Sequence, residues 1–169
     1  MSDRVLRRLL IAAAVLAAFS PALTAGFAGW DDRPFILDNP FIRGLSAENL
    51  RAMLRSAVGG VWMPLTWLSL AADHAVWGLD AGGYHLTNIL LHAAAALLVY
   101  EACLLLLKGD EWAATFAALF FALHPLRVES VAWAAERKGV LAGALLLASL
   151  CARLRSFKSP RPRTWEAAA

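Results

Sequence analysis

Two short stretches hold residue types whose spacing could do chemistry. Residues 29–39 read "GWDDRPFILDN", with Asp31 and Asp32 side by side directly after an apolar run. A carboxylate held in place can take a proton from a hydroxyl or orient it, which makes either Asp a candidate general base. The same pair also serves as a plain polar stop after a membrane span. Residues 124–139 read "HPLRVESVAWAAERKG" and gather His124, Arg127, Glu129, Glu136, Arg137 and Lys138 between two apolar runs. Ionisable residues at membrane depth are functional candidates by default. Arg presents a planar fork and Lys a point charge, a combination that suits a lipid phosphate. As interfacial anchors, the same cations would snorkel to the membrane surface. Glu129 and Glu136 are seven apart and would share a face of one continuous helix. A third stretch, "GYHLTNILLH", sets His85, Asn88 and His92 at helical spacing, either toward a site or toward helix–helix hydrogen bonds.

These groups need elements to hold them, and the composition says which kind. Hydrophobic residues make up 60% of the 169 and charged residues 17%, with seven Trp. Typical soluble domains carry roughly 25% charge. The apolar runs are rich in Ala and Leu and do not alternate with period two, so helices rather than a barrel satisfy the backbone in lipid. The expected class is an all-α integral membrane protein. It has about four transmembrane helices and one long extracytoplasmic loop containing short interfacial helices.

The apolar runs lie at 9–29, 89–107, 112–123 and 140–152. The first is long enough for about 30 Å of hydrocarbon at roughly 1.5 Å per residue. Its basic start and the small residues of "LTAGFAG" also resemble a secretory signal peptide, so a retained helix and a cleaved leader are both open. The third run is short and stops at His124-Pro125. In the loop, Ser46 is an N-cap for a short amphipathic helix bearing Leu50, Met53 and Leu54. Trp62, Trp67 and Trp77 mark a second helix lying in the interface. The expected segments are an N-terminal helix at 1–29, the loop at 30–84, a three-helix membrane region at 85–155 and a disordered tail at 156–169.

Arg4, Arg7 and Arg8 precede the first run, and Arg153, Arg155, Lys158, Arg161 and Arg163 follow the last. By the positive-inside rule both termini are cytoplasmic and residues 30–84 extracytoplasmic, in a multi-pass protein of the inner (plasma) membrane. Cys103 and Cys151 lie in apolar runs and read as free thiols. No Cys/His spacing supports a metal site. The net charge of +3 comes from basic termini, with no basic stripe for nucleic acid. Asp73-His74 reads as surface.

Three motifs in order carry a resemblance: "WDDRPFILDNP", "MPLTWLSLAADHAVWGLDAGGYHLTNILLHAAAALLVY" and "HPLRVESVAWAAERKGVLAGALLL". Over about residues 30–150 the chain resembles the amino-terminal part of the transmembrane and tetratricopeptide-repeat O-mannosyltransferases and their bacterial relatives. These are GT-C glycosyltransferases. The resemblance implies transfer of a sugar from a polyprenyl-phosphate donor to a protein hydroxyl or glycan acceptor, with membrane lipid as surroundings. It maps the acidic motif of the first outer loop onto Asp31 and Asp32. The basic "ERK" element, Glu136, Arg137 and Lys138, falls near the donor phosphate, with His124 beside it. Glu129, His85 and Arg127 are the other pocket residues. The family pattern continues with Asp where this chain has Gly139, so no acidic role is carried to that position. No cofactor is expected, and a divalent metal is not required. Such enzymes have about ten or more spans, so the chain reads as a truncated form. The competing reading is a non-catalytic membrane scaffold or assembly protein, or an inactive remnant.

Overall fold

The computed structural model describes residues 2–158. Its helices are α1 (Asp3–Phe19), α2 (Ala47–Arg55), α3 (Pro64–Trp77), α4 (Ala81–Leu106), α5 (Glu111–Leu123), α6 (Arg127–Ala132) and α7 (Arg137–Lys158). Short turns of 3-10 helix and one π turn, Arg33–Leu37, join them. The described residues contain no strand, only an isolated bridge between Val58 and Val61.

Four helices form an up-down bundle around α4, which packs against α1, α5 and α7. One end of the bundle is pinned by charge. Glu101 at the end of α4 pairs with Arg8 of α1 and with Arg155 of α7, the latter at 3.2 Å. Glu111 at the start of α5 meets Arg4 at 2.8 Å and Arg7 at 3.3 Å. The start of α1, the end of α4, the start of α5 and the end of α7 therefore share one end. The tight connection there is made by Lys108 and Gly109, both at positive φ (54° and 89°). Asp110 then caps α5, accepting from the N–H groups of Trp112 and Ala113 at 3.0 Å each.

Helix α5 shows why this bundle belongs in lipid. It buries Ala114, Ala118 and Ala122 and exposes Trp112, Phe116 and Phe120. Small side chains face the neighbouring helix and large apolar ones face outward, the reverse of a soluble helix. Lipid offers no hydrophobic drive to bury Phe, whereas small residues let backbones approach closely. Three segments are long and apolar enough to cross a membrane: Asp3–Thr24, Ala81–Leu106 and Ala134–Phe157. The fourth, α5, has 13 residues, about 20 Å at 1.5 Å per residue, and is shorter than the hydrocarbon core. It ends at His124, which is extended (ψ 130°) ahead of Pro125.

The opposite end is capped by the loop. Phe35, Ile36, Ile42, Met53, Trp67, Leu70 and Tyr84 form a second apolar core, closed from the other side by Ala134 and Ala135. Ser46 caps α2 by accepting from Asn49 N–H at 3.2 Å, as the sequence indicates. Gly83 is required where α4 begins, because a Cβ there would lie 2.2 Å from the Trp77 ring. Trp62 is exposed, but Trp67, expected at the interface with it, is fully buried.

Two further expectations change. Glu129 and Glu136 do not share a helix: α6 stops at Ala132 and Trp133 is extended. The Trp133 carbonyl accepts from Asn88 Nδ2 at 2.9 Å as well as from Glu136 N–H at 3.1 Å, and Ala135 N–H donates to Asp32 at 2.7 Å in place of a helical carbonyl. Helix α7 continues through Lys158, past the expected start of the tail at 156. The remainder of that tail, including Arg161 and Arg163, lies outside the described residues.

Candidate functional site

The loop end of the bundle brings the "WDD" and "ERK" segments together, and each adjacent pair of charges divides. Asp32 is fully buried. Its Oδ2 accepts from Ala28 N–H at 2.6 Å and its Oδ1 from Ala135 N–H at 2.7 Å. The carboxylate ties the end of the first apolar run to the turn ahead of α7. Burial pushes its pKa above the usual carboxylate value, and the two N–H bonds and the nearby His85 pull the other way. Asp31, one residue earlier, is half-exposed and points to the rim, with Oδ2 3.8 Å from Lys138 Nζ.

Arg137 is also fully buried. Its Nη2 donates to Asp73 Oδ2 at 2.6 Å and to the Tyr84 carbonyl at 2.9 Å, its Nη1 to Ser69 Oγ at 2.8 Å and its Nε to Asn88 Oδ1. Asp73 in turn accepts from Thr87 Oγ1 at 2.7 Å. In this arrangement Arg137 has no face turned to a ligand, contrary to its expected place on a donor phosphate. Its planar fork is used to lock α3, α4 and α7 together.

Lys138 points the other way. Its Nζ lies 2.6 Å from Glu136 Oε1 and 5.7 Å from the centre of the Phe35 ring. It stands at the mouth of a groove of about 280 Å³ that runs between the start of α3 and α7, past Trp62, Met63, Leu65, Leu141 and Leu145. From Lys138 to Leu145 the helix descends about 10 Å at 1.5 Å per residue. The groove thus joins a charged rim to an apolar floor.

The other expected residues are distributed elsewhere. His124 sits at the end of α5 against the Phe120 ring (5.3 Å between centroids) and lines a cavity facing the end of α1, away from Lys138. Glu129 is exposed on α6. Arg127 lies over the Phe121 ring at 4.6 Å, on a different side of α7 from the groove. His85 is buried under the loop with neither ring nitrogen bonded. His92 makes a helix–helix bond, its Nε2 2.9 Å from the Ala122 carbonyl, one of the two roles open from the sequence. No group of three or more His, Cys, Asp or Glu among the described residues is arranged to hold a metal ion.

Asp73 is the residue the sequence reading misplaced. It is buried, not on the surface. The available signal was its register: Thr66, Leu70 and Asp73 recur at i, i+4 and i+7, on the buried face of α3. A carboxylate on that face requires a buried cation.

No family model matches the chain and no solved structure matches it. Curated relatives do. Protein O-mannosyl-transferase TMTC2 of Homo sapiens is 39% identical over 106 residues, which is 62% of this chain and 13% of that protein. Protein O-mannosyl-transferase Tmtc2 of Drosophila melanogaster is 35% identical over 155 residues, 85% of this chain and 16% of that protein. Human TMTC3, also a protein O-mannosyl-transferase, is 29% identical over 157 residues, 87% of this chain and 17% of that protein. The chain spans less than a fifth of the length of these relatives. The order of the acidic and basic segments, the apolar bundle and these matches converge: over the greater part of its length this chain is homologous to a segment of the protein O-mannosyl-transferases.

Proposed function

We propose that this chain forms the acidic outer-loop face and the donor groove of a GT-C-type membrane glycosyltransferase. The reaction moves a sugar from a polyprenyl phosphate to a protein hydroxyl or a glycan. The observation that carries this reading is Lys138, which lines an apolar groove and has Asp31 and Glu136 as its ion-pair partners. A cation at a membrane edge above an apolar channel fits a phosphate with an isoprenoid tail. The groove is below the roughly 300–1,000 Å³ of pockets for drug-sized ligands, so it takes the phosphate end and not the whole lipid.

In this reading Asp31 accepts the acceptor's hydroxyl proton as the oxygen bonds to the anomeric carbon. The bond from that carbon to the phosphate oxygen breaks, and polyprenyl phosphate leaves with the electron pair. Lys138 meets the charge that develops on it, displacing its contact with Glu136. Asp32 and Arg137 act through position, holding the two rim residues on facing backbones.

The proposed orientation places residues 30–84 outside the cytoplasm and both termini inside, in the inner (plasma) membrane. The clustering of Arg4, Arg7, Arg8 and Arg155 at the end away from the rim supports it. The competing reading is a non-catalytic membrane scaffold or assembly protein. The full chain in proteoliposomes, given polyprenyl-phosphate mannose and a Ser/Thr peptide, decides between them. Mannose transfer that falls about a hundredfold or more in Asp31→Asn supports the transferase. Absence of transfer, or an Asp31→Asn protein as active as the parent, removes it.

A further inference from the structure

Helices α2 and α3 leave an apolar face open at the loop end of the bundle. A groove of about 350 Å³ runs between them, lined by Leu50, Met53, Leu54, Pro64, Leu65 and Leu68. Of these only Met53 is buried, and all four Leu are exposed. The sequence pointed to Trp67 as the part of α3 at the membrane surface, but Trp67 belongs to the loop core. What α3 turns outward at this end is Leu65 and Leu68. Large apolar side chains left open side by side mark an interaction surface.

The level of this face along the bundle identifies its partner. Arg155 of α7 pairs with Glu101 and marks the charged end opposite the loop. Leu141 precedes Arg155 by 14 residues in α7, about 21 Å at 1.5 Å per residue. A hydrocarbon core of about 30 Å measured from that end therefore reaches past Leu141. The start of α3 lines one groove with Leu141 and Leu145 of this span. Pro64 and Leu65 line both that groove and the one between α2 and α3, so the apolar surface is continuous from α7 across Leu65 to Leu54. Leu68 is one residue from Ser69, which meets Arg137, about 27 Å from Arg155 by the same rise. The face thus spans the last turn or so of hydrocarbon depth and ends where lipid phosphates begin.

Helix α2 carries charge that suits this level. At about 100° per residue, Arg51 and Arg55 stand on the side of α2 next to Leu50 and Leu54, while Met53 faces inward. Both Arg are exposed. Among the described residues neither pairs with a carboxylate, in contrast to Arg4, Arg8 and Arg137. A helix with cations beside an apolar edge sits at the boundary of headgroups and acyl chains, and anionic lipid strengthens its hold. Trp62 adds an exposed indole to the same edge, its Nε1 donating to the Leu54 carbonyl at 2.9 Å.

We propose that α2 and the start of α3 enter the leaflet at the loop end. Acyl chains fill the groove over Leu50, Leu54, Leu65 and Leu68, and Arg51 and Arg55 hold the phosphates of anionic phospholipid. This inference is independent of the transferase reading. The test uses the full chain, one copy per nanodisc of phosphatidylcholine and phosphatidylglycerol, with Cys103→Ser and Cys151→Ser as background. A spin label is placed by Leu54→Cys, Leu65→Cys or Glu48→Cys. Power-saturation EPR compares access of oxygen, which concentrates in hydrocarbon, with access of a water-soluble nickel chelate. Labels at 54 and 65 are expected to favour oxygen. The label at 48, about 120° round α2 from Leu54, is expected to favour the chelate. A label at 54 or 65 that the chelate reaches as readily as it reaches 48 overturns the insertion. So does shielding from both reagents, the sign that protein covers the face. The excess of phosphatidylglycerol over phosphatidylcholine among lipids held at the protein surface is read with chain-labelled lipids. It is expected to fall in Arg51→Gln/Arg55→Gln and to stay in Arg33→Gln, an exposed arginine already paired with Asp38. An excess unchanged in the double variant overturns the phosphate contact.

Discussion

Asp31 and Asp32 are neighbours, and so are Arg137 and Lys138, yet both pairs divide in the same way. Asp32 and Arg137 turn inward, fully buried and hydrogen-bonded, Arg137 to the buried Asp73 and Asn88 and to the part-buried Ser69. Asp31 and Lys138 turn outward to a half-exposed rim 3.8 Å apart. The inner set is a plug that joins the loop to α3, α4 and α7. The outer set is what a substrate could reach. A buried charge is tolerable only when paired and hydrogen-bonded, so the plug's composition follows from its location. The rim's charges are not needed to satisfy each other, which leaves them available to an incoming group. Changes to the plug should therefore show in stability, and changes to the rim in transfer.

The largest effect is expected from Arg137→Leu. It leaves Asp73 as a buried carboxylate without its cation, and Asn88 and the Tyr84 carbonyl without a donor. Breaking a buried pair from one side costs about 3–5 kcal/mol. Chemical denaturation in detergent should show that loss. The double variant Arg137→Leu/Asp73→Leu should recover part of it, because the orphaned charge is gone. A single variant as stable as the parent would make the plug dispensable and the division between the two regions meaningless.

Asp32→Asn comes next. The amide keeps one acceptor but turns an N–H toward one of the two backbone donors, from Ala28 or Ala135. Leaving a buried donor unmet costs about 1–3 kcal/mol. The same substitution has a pH signature. Burial raises the folded pKa of Asp32 above its unfolded value. Between those two values the folded state holds more protons than the unfolded state, so stability falls as pH rises through that window. The contribution is complete below the ordinary carboxylate value and gone above the raised one. Asp32→Asn should lack this slope in denaturation series run across the acid range.

What could be read without coordinates follows from how local each signal is. The bundle was legible because spans declare themselves by length and composition. The caps at Ser46 and the helix–helix bond of His92 were within the range of short patterns. The inner half of the site was not. Arg137 and Asp73 are 64 residues apart, Arg137 and Asn88 49, and Asp32 and Ala135 103. Two adjacent like charges look equivalent in a sequence. Only the packing of α3 against α4 and α7 decides which one faces inward. The break at Trp133 was hidden for the same reason, since its cause is Asn88 on another helix.

Asp31→Asn tests the outer region. The side chain makes one long contact at the rim, so stability should stay within about 0.5 kcal/mol of the parent. Transfer, where the parent supports it, should fall about a hundredfold or more. A stability loss comparable to that of Asp32→Asn would assign Asp31 to the plug.

A similarly small change in stability is expected from Lys138→Gln, and it is the sharpest check on the comparison. Lys138 has two carboxylates in reach, Glu136 at 2.6 Å and Asp31 at 3.8 Å, one more than Arg137 has. What separates the two is solvent. Its side chain is 37% exposed and that of Arg137 is 0% exposed. Exposed ion pairs contribute about 0–1 kcal/mol, are screened by salt and lose part of their gain to side-chain entropy. Removing Lys138 also relieves no buried partner of its cation, because Asp31 and Glu136 can hydrate. The unfolding midpoint of Lys138→Gln should therefore track the parent and converge on it as salt is raised. Its affinity for a polyprenyl phosphate should fall over the same range. If instead the variant unfolds as early as Arg137→Leu at every salt concentration, the rim carries structure rather than substrate, and proximity to Asp31 no longer marks a site.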